Sequence, residues 1–193
     1  MSFVHRSSLI LGATRSGKSR EALRQARALP PGFRGVFLAT AQALDGDMRD
    51  RIARHQAERP KSWATVEEPY DIVQACERLS GHSDVVLLDC LTLWTANLIL
   101  RGDKESTIIE AADALGRFIA LRRFTLIIVS NEVGAGVHPH TDVGMSFRDV
   151  LGEVNQRVAA FADQVTYMVA GIPWILKDAN SPRDLRDQTF ESP

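Results

Sequence analysis

The sequence predicts a three-layer α/β domain, with a mostly parallel sheet, helices on both faces and an antiparallel strand at the C-terminal edge. Three observations carry that expectation. Five short aliphatic runs are distributed along the 193 residues, each with the length and composition of a strand buried on both faces. Segments of helical periodicity lie between them, and such alternation needs crossover connections, which make neighbouring strands parallel. Gly171 and Pro173 interrupt the last apolar stretch before Trp174 to Lys177, as a closing hairpin would.

In chain order, Ser8 to Gly12 is the first strand and a helical pattern runs from Lys18 to Leu29. Gly35 to Ala39 is the second, followed by helical patterns over Asp47 to Glu58 and Tyr70 to Leu79. Val85 to Leu88 is the third, with helices expected over Thr92 to Arg101 and Thr107 to Leu121. Thr107 and Glu110 have capping-box spacing, which predicts a helix start at that threonine. Thr125 to Ser130, a helix over Phe147 to Phe161 and Gln164 to Val169 complete the alternation. The polar remainder, Asp178 to Pro193, reads as a C-terminal extension of a single domain spanning 1–193.

Composition excludes several classes of function. With 23 basic against 24 acidic residues and a formal charge of −1, no chain-wide positive field is available for nucleic acid, so a small anionic substrate held by a local basic site fits better. Cys76 and Cys90 are too few for a disulfide framework or a zinc site, which implies a reducing cytoplasm. Leu9 to Leu11 is too short for a signal sequence, and no stretch approaches the ~20 apolar residues of a membrane span. A soluble cytoplasmic protein is expected.

Gly12-Ala13-Thr14-Arg15-Ser16-Gly17-Lys18-Ser19 matches G-x-x-x-x-G-K-[ST] between an expected strand and an expected helix. A phosphate chain needs several inward-pointing N–H groups, which small residues in a tight loop ahead of a helix N-terminus supply. Lys18 would reach the terminal phosphates and the Ser19 hydroxyl would ligate Mg2+. This makes the fold class a P-loop NTPase type. Asp89 follows Val85 to Leu88 and so emerges at the ligand edge of the sheet, where it would hold the magnesium water shell, cap the helix near Thr92, or do both.

Arg51, His55 and Arg59 are four apart and share one helix face before Pro60. Flanking guanidinium groups disfavour protonation of the imidazole and would keep His55 neutral and nucleophilic. Attack on an α-phosphate would expel pyrophosphate and leave a nucleotidyl-imidazole. On spacing alone, a solvated histidine on a charged helix remains the alternative. Glu132, in the turn Asn131 to Gly136 after the strand Thr125 to Ser130, is either an acid at the ligand edge or incidental to a glycine-rich turn. His138 and His140 read as loop residues, and Trp63, Trp94 and Trp174 as core or interface aromatics.

Ordered blocks extend from Ser8 to Lys177: Gly12 to Ser19; Ala39-Thr40-Ala41 with Asp45 and Met48; Arg51-Ile52, His55, Arg59-Pro60, Trp63, Thr65 and Glu67. Further on come Asp89 to Trp94 with Asn97-Leu98, Ser130 to Gly134 with Gly136, Phe147-Arg148-Asp149 with Gly152, and Asn155-Gln156-Arg157. With these blocks the chain resembles the bifunctional adenosylcobinamide kinase / adenosylcobinamide-phosphate guanylyltransferase of cobalamin biosynthesis. The resemblance implies that His55 is guanylylated and that Lys18 is catalytic. It implies a nucleotide site drawn from Gly12, Ala13, Thr14, Arg15, Ser16, Gly17, Lys18 and Ser19, from Thr40, Ala41 and Gln42, from Gln56, Ala57, Glu58 and Arg59, and from Glu67 and Asp89. Mg2+ would sit at Ser19 and Asp89, with GTP and ATP as substrates, adenosylcobinamide and its phosphate as acceptors, and a homotrimer as the assembly.

The family loop usually begins Gly-Gly-Ala, so a positive φ at Ala13 or Thr14 would cost about 1 kcal/mol. Asp47 stands where Glu is more common, one methylene shorter. Asp45, Asp47 and Glu132 are the candidate general bases for phosphorylation. Two other readings predict different chemistry: a P-loop kinase for another small hydroxyl substrate without a histidine intermediate, and a non-enzymatic nucleotide-dependent regulatory protein.

Overall fold

A computed structural model describes residues 5–42, 46, 56, 60, 62–136 and 138–179. Gln56 excepted, the helix expected over Asp47 to Glu58 lies outside them, as does the polar segment beyond Ala179.

All the aliphatic runs form strands: β1 (Ser7–Gly12), β2 (Gly35–Ala39), β4 (Val85–Asp89), β5 (Thr125–Val129) and β6 (Gln164–Val169). Two further strands complete the sheet, β3 (Ala64–Glu67) and β7 (Ile172–Asp178). The order is β3-β2-β4-β5-β1-β6-β7, parallel throughout except for the antiparallel β6–β7 pair. Asp178 therefore belongs to the sheet, paired with Gln164, rather than to the polar extension.

Strand alternation sends residues to both faces. Leu9, Leu38, Val86, Leu88 and Ile128 pack against α2 (Ile72–Leu79), α3 (Leu91–Arg101), α4 (Glu105–Ala120) and α5 (Asp142–Phe161). Ile10, Phe37, Leu87, Ile127 and Val129 face the other way, against Ala22 and Ala26 of α1 (Lys18–Arg27). Both faces are thus dry, which is why the central strands carry unbroken apolar runs such as Leu9 to Leu11 and Val85 to Leu88.

Two helix starts differ from expectation. α4 begins at Glu105: Thr107 lies inside its first turn, donating its N–H to Lys104 O at 3.0 Å, and no side chain caps this end, so no capping box forms. The N-terminus of α5 lies well before Phe147, because Thr141 Oγ1 accepts from Gly144 N at 3.1 Å and caps a helix starting at Asp142.

Candidate active site

At the carboxyl end of β1 the chain turns sharply into α1. Gly12 has φ 149°, and a Cβ there would stand 2.6 Å from Ser16 Oγ and 2.7 Å from Met168 O. Gly17, the residue ahead of α1, has φ 100°. Only glycine meets both requirements without displacing backbone. The third left-handed residue is Arg15, φ 58°; Ala13 and Thr14 have no positive φ, so the departure from Gly-Gly-Ala carries no strain at those two positions.

Ala13, Thr14 and Arg15 are exposed, whereas Ser16 and Lys18 are buried and Ser19 is half-buried. Ser16 Oγ is a buried hydroxyl with no hydrogen-bond partner. Lys18 Nζ donates to Gly12 O at 2.9 Å and Ala13 O at 2.7 Å, which lays the ammonium across the loop. A cation, an unpartnered hydroxyl and a helix N-terminus at one turn suit a phosphate chain.

Two other segments brace the loop. Glu132 N donates to Gly12 O at 3.1 Å, which ties the β5–α5 turn to it. From the opposite side Gly171 N donates to Ser16 O at 2.9 Å, so the β6–β7 turn, with Ala170 at φ 51° and Gly171 at φ 81°, docks against it. Glu132 Oε1 accepts from Gly134 N at 2.7 Å, which fixes the carboxylate within its own turn.

Asp89 closes β4, opposite Ala39 on one side and Val129 on the other. β5 lies between β4 and β1, and at ~4.8 Å per strand their ends, at Asp89 and Gly12, stand roughly 10 Å apart, a gap on the scale of a hydrated ion. A hydroxyl and a carboxylate are hard oxygen donors, as suits Mg2+ that keeps most of its waters. Among the described residues no three His, Cys, Asp or Glu side chains converge on a metal cage. The N-cap of α3 is Cys90, without a side-chain cap, and Asp89 stands one residue ahead of it.

Sequence reasoning placed Thr40 in the nucleotide site and Thr92, Asn97, Asn131 and Asn155 only within the matching blocks, and missed the hydrogen bonds by which they hold this edge together. Thr40 is fully buried; its Oγ1 accepts from Cys90 N at 2.9 Å and donates to Cys90 O at 2.8 Å, while its own N–H donates to Asp89 O at 3.1 Å. Its hydroxyl therefore orients the residue after Asp89. Asn97, buried on α3, donates to Thr40 O at 2.8 Å and Pro69 O at 3.1 Å. Thr92 Oγ1 accepts from Asn131 N at 2.7 Å, and Asn155 Nδ2 donates to Asn131 O at 3.0 Å. The legible signal was polar residues on otherwise apolar helix faces, Asn97 in α3 and Asn155 in α5.

Ala41 and Gln42 are half-buried just beyond β2, and Gln56 is exposed. Glu67 ends β3 opposite Ala39 and is exposed. Four strand spacings separate the ends of β3 and β1, so Glu67 and the phosphate loop lie roughly 19 Å apart along the sheet edge. Asp45, Asp47, Arg51, His55, Ala57, Glu58 and Arg59 lie outside the described residues.

Burial, with the Asp89 carboxylate nearby, pushes the Cys90 thiol up to about 11, and burial pushes Cys76 to about 12. Both stay protonated at neutral pH, which leaves no thiolate nucleophile at this edge. At pH 7.5 neither cysteine of the native protein should react with a thiol reagent, and both should react after denaturation; a thiol titration checks this.

A sequence model of the family described as Cobinamide kinase / cobinamide phosphate guanyltransferase matches residues 8–176. The chain is 41% identical over 169 residues to the bifunctional adenosylcobalamin biosynthesis protein CobP of Pseudomonas aeruginosa, covering 88% of this chain and 96% of that protein. It is 34% identical over 176 residues to the bifunctional adenosylcobalamin biosynthesis protein CobU of Escherichia coli, covering 85% and 96%. Among solved structures, a KaiC-like protein from Pyrococcus horikoshii superposes with a TM-score of 0.56 at 17% identity, covering 93% of this chain and 82% of that one, a likeness of fold alone.

Proposed function

The chain belongs to the cobinamide kinase / cobinamide phosphate guanyltransferase family, and from that premise we propose that it phosphorylates adenosylcobinamide and then transfers GMP to the product through a guanylylated His55. The observation that carries the reading is the loop Gly12 to Ser19, with its buried Lys18 and unpartnered Ser16 hydroxyl, braced by the turn that carries Glu132.

In the first reaction the hydroxyl oxygen of the acceptor bonds to the γ-phosphorus of ATP or GTP while the bond to the β–γ bridging oxygen breaks, releasing the nucleoside diphosphate. Loop N–H groups and Lys18 balance the charge that accumulates on the phosphoryl oxygens. Asp45, Asp47 and Glu132 are the candidates to receive the hydroxyl proton, and the turn that carries Glu132 is tied to the loop by its backbone bond to Gly12 O. Mg2+ held by Ser19 and Asp89 would add further neutralisation of the triphosphate.

In the second reaction a ring nitrogen of His55 bonds to the α-phosphorus of GTP and pyrophosphate leaves. The phosphate of the adenosylcobinamide phosphate then attacks the same phosphorus and the imidazole departs, giving adenosylcobinamide-GDP. Thr40 to Gln42, Gln56 to Arg59 and Glu67 complete the nucleotide site, and the assembly is a cytoplasmic homotrimer. Among the described residues no helix is long and apolar enough to cross a membrane.

The test is incubation with GTP labelled at the α-phosphate, without acceptor. Acid-labile, base-stable label on the protein is the expected outcome, because a phosphoramidate forms. Absence of label on a protein that still phosphorylates a small hydroxyl substrate would reduce the chain to a simple kinase.

A further inference from the structure

Beyond the phosphate loop, a cleft of about 500 Å³ opens between the β5–α5 turn, at Gly134, and one face of α5 that carries Arg148, Asp149, Gly152, Glu153, Gln156 and Arg157. Its floor has an unusual feature. Gly152 lies within the 20-residue helix α5, where glycine is disfavoured relative to alanine, and a Cβ built there would meet nothing within 4 Å. Packing explains the comparable Gly116 of α4, where a Cβ would stand 2.3 Å from the Phe161 ring. No contact within the described chain explains Gly152. A bare stretch of helix backbone at the floor of a cleft is what a ligand needs if it is to lie flat against the helix.

The lining states what kind of ligand. Arg157 pairs with Glu153 at 2.7 Å and Arg148 with Asp149 at 2.9 Å, so the charges of this face are matched inside the protein. A polyphosphate finds no surplus positive charge there. An uncharged molecule bearing many hydrogen-bond donors and acceptors finds partners for both, including the exposed Gln156. Hydrogen bonds tie the turn at the edge of the cleft to the phosphate loop: Asn155 Nδ2 donates to Asn131 O, Asn131 N donates to Thr92 Oγ1, and Glu132 N donates to Gly12 O.

We propose that this cleft binds the acceptor through an amide-bearing edge of its macrocycle laid on the backbone at Gly152, so that its hydroxyl arm extends along the Asn131 to Gly134 turn toward Lys18. This rests on the function proposed above. The cleft takes one edge of the corrinoid, not the whole ring.

The experiment compares the full-length wild type with G152A and G152L. Adenosylcobinamide affinity is read from the corrin absorbance, GTP affinity by calorimetry, subunit count by sedimentation, and stability by melting temperature. G152L should weaken adenosylcobinamide binding on the order of tenfold or more, raise its KM by the same factor and leave kcat at saturation nearly unchanged, the pattern of lost ground-state binding. GTP affinity and subunit count should not move, and G152A should melt no lower than wild type because its Cβ meets nothing. Unchanged corrinoid affinity in G152L overturns the proposal, as does a changed subunit count, which would make this face a contact between copies. A wild type that binds adenosylcobinamide at this cleft yet never phosphorylates it would instead refute the function, not the site.

Discussion

His55→Ala is expected to keep phosphorylating adenosylcobinamide while losing GMP transfer on the order of 10⁴-fold or more, the scale on which removal of a covalent nucleophile acts. The asymmetry follows from bond making. In the proposed mechanism phosphoryl transfer joins acceptor oxygen to γ-phosphorus directly, with no protein atom between them, whereas guanylyl transfer passes through a phosphorus–nitrogen bond to the imidazole. Without the ring, the acceptor phosphate must attack GTP itself, one anion approaching another. Chromatographic separation of adenosylcobinamide phosphate from adenosylcobinamide-GDP over a time course reads both rates in one reaction. Adenosylcobinamide-GDP appearing at the wild-type rate would remove the histidine from the mechanism.

Lys18→Ala should slow both reactions, each on the order of 10²–10³-fold, the usual loss when one donor aimed at developing charge is deleted. Its ammonium is buried and bonded to Gly12 O and Ala13 O, so the variant also loses an internal clip on the loop. A melting curve separates that from lost catalysis: the rate should fall with the fold intact. If kinase activity stays normal and only GMP transfer falls, the two triphosphates occupy different sites, and the roughly 19 Å between the ends of β1 and β3 would be the place to look.

The sheet was legible because its strands are buried on both faces, which makes Leu9 to Leu11 or Val85 to Leu88 continuous aliphatic runs that no surface segment would tolerate. β3 was not, since it is a short edge strand with Ala64, Thr65 and Glu67 exposed, and its composition records no burial. Helix starts were the other weak point. Thr107 offered capping-box spacing, yet Glu105 already begins the helix, because spacing cannot tell a cap from a first turn; at Thr141 the histidine-proline loop just upstream masked a real cap. Within the site, the loop and Asp89 were readable from motif and register. The bonds of Thr40, Asn97 and Asn155 were not, for they join strand and helix ends far apart in sequence and leave no local pattern.

The contact between Gly171 N and Ser16 O also bears on how the protein is made. β1 is flanked by β5 and β6, and the loop after it is clamped by the β6–β7 hairpin, so this motif depends on partners translated well after it. A nascent chain stalled before β6 holds every atom of the nucleotide loop and the Glu132 brace on one side, but lacks β6 and the Gly171 contact on the other. Competence to bind GTP should arrive abruptly, once the hairpin has cleared the exit tunnel, in the manner of folds dominated by long-range pairings.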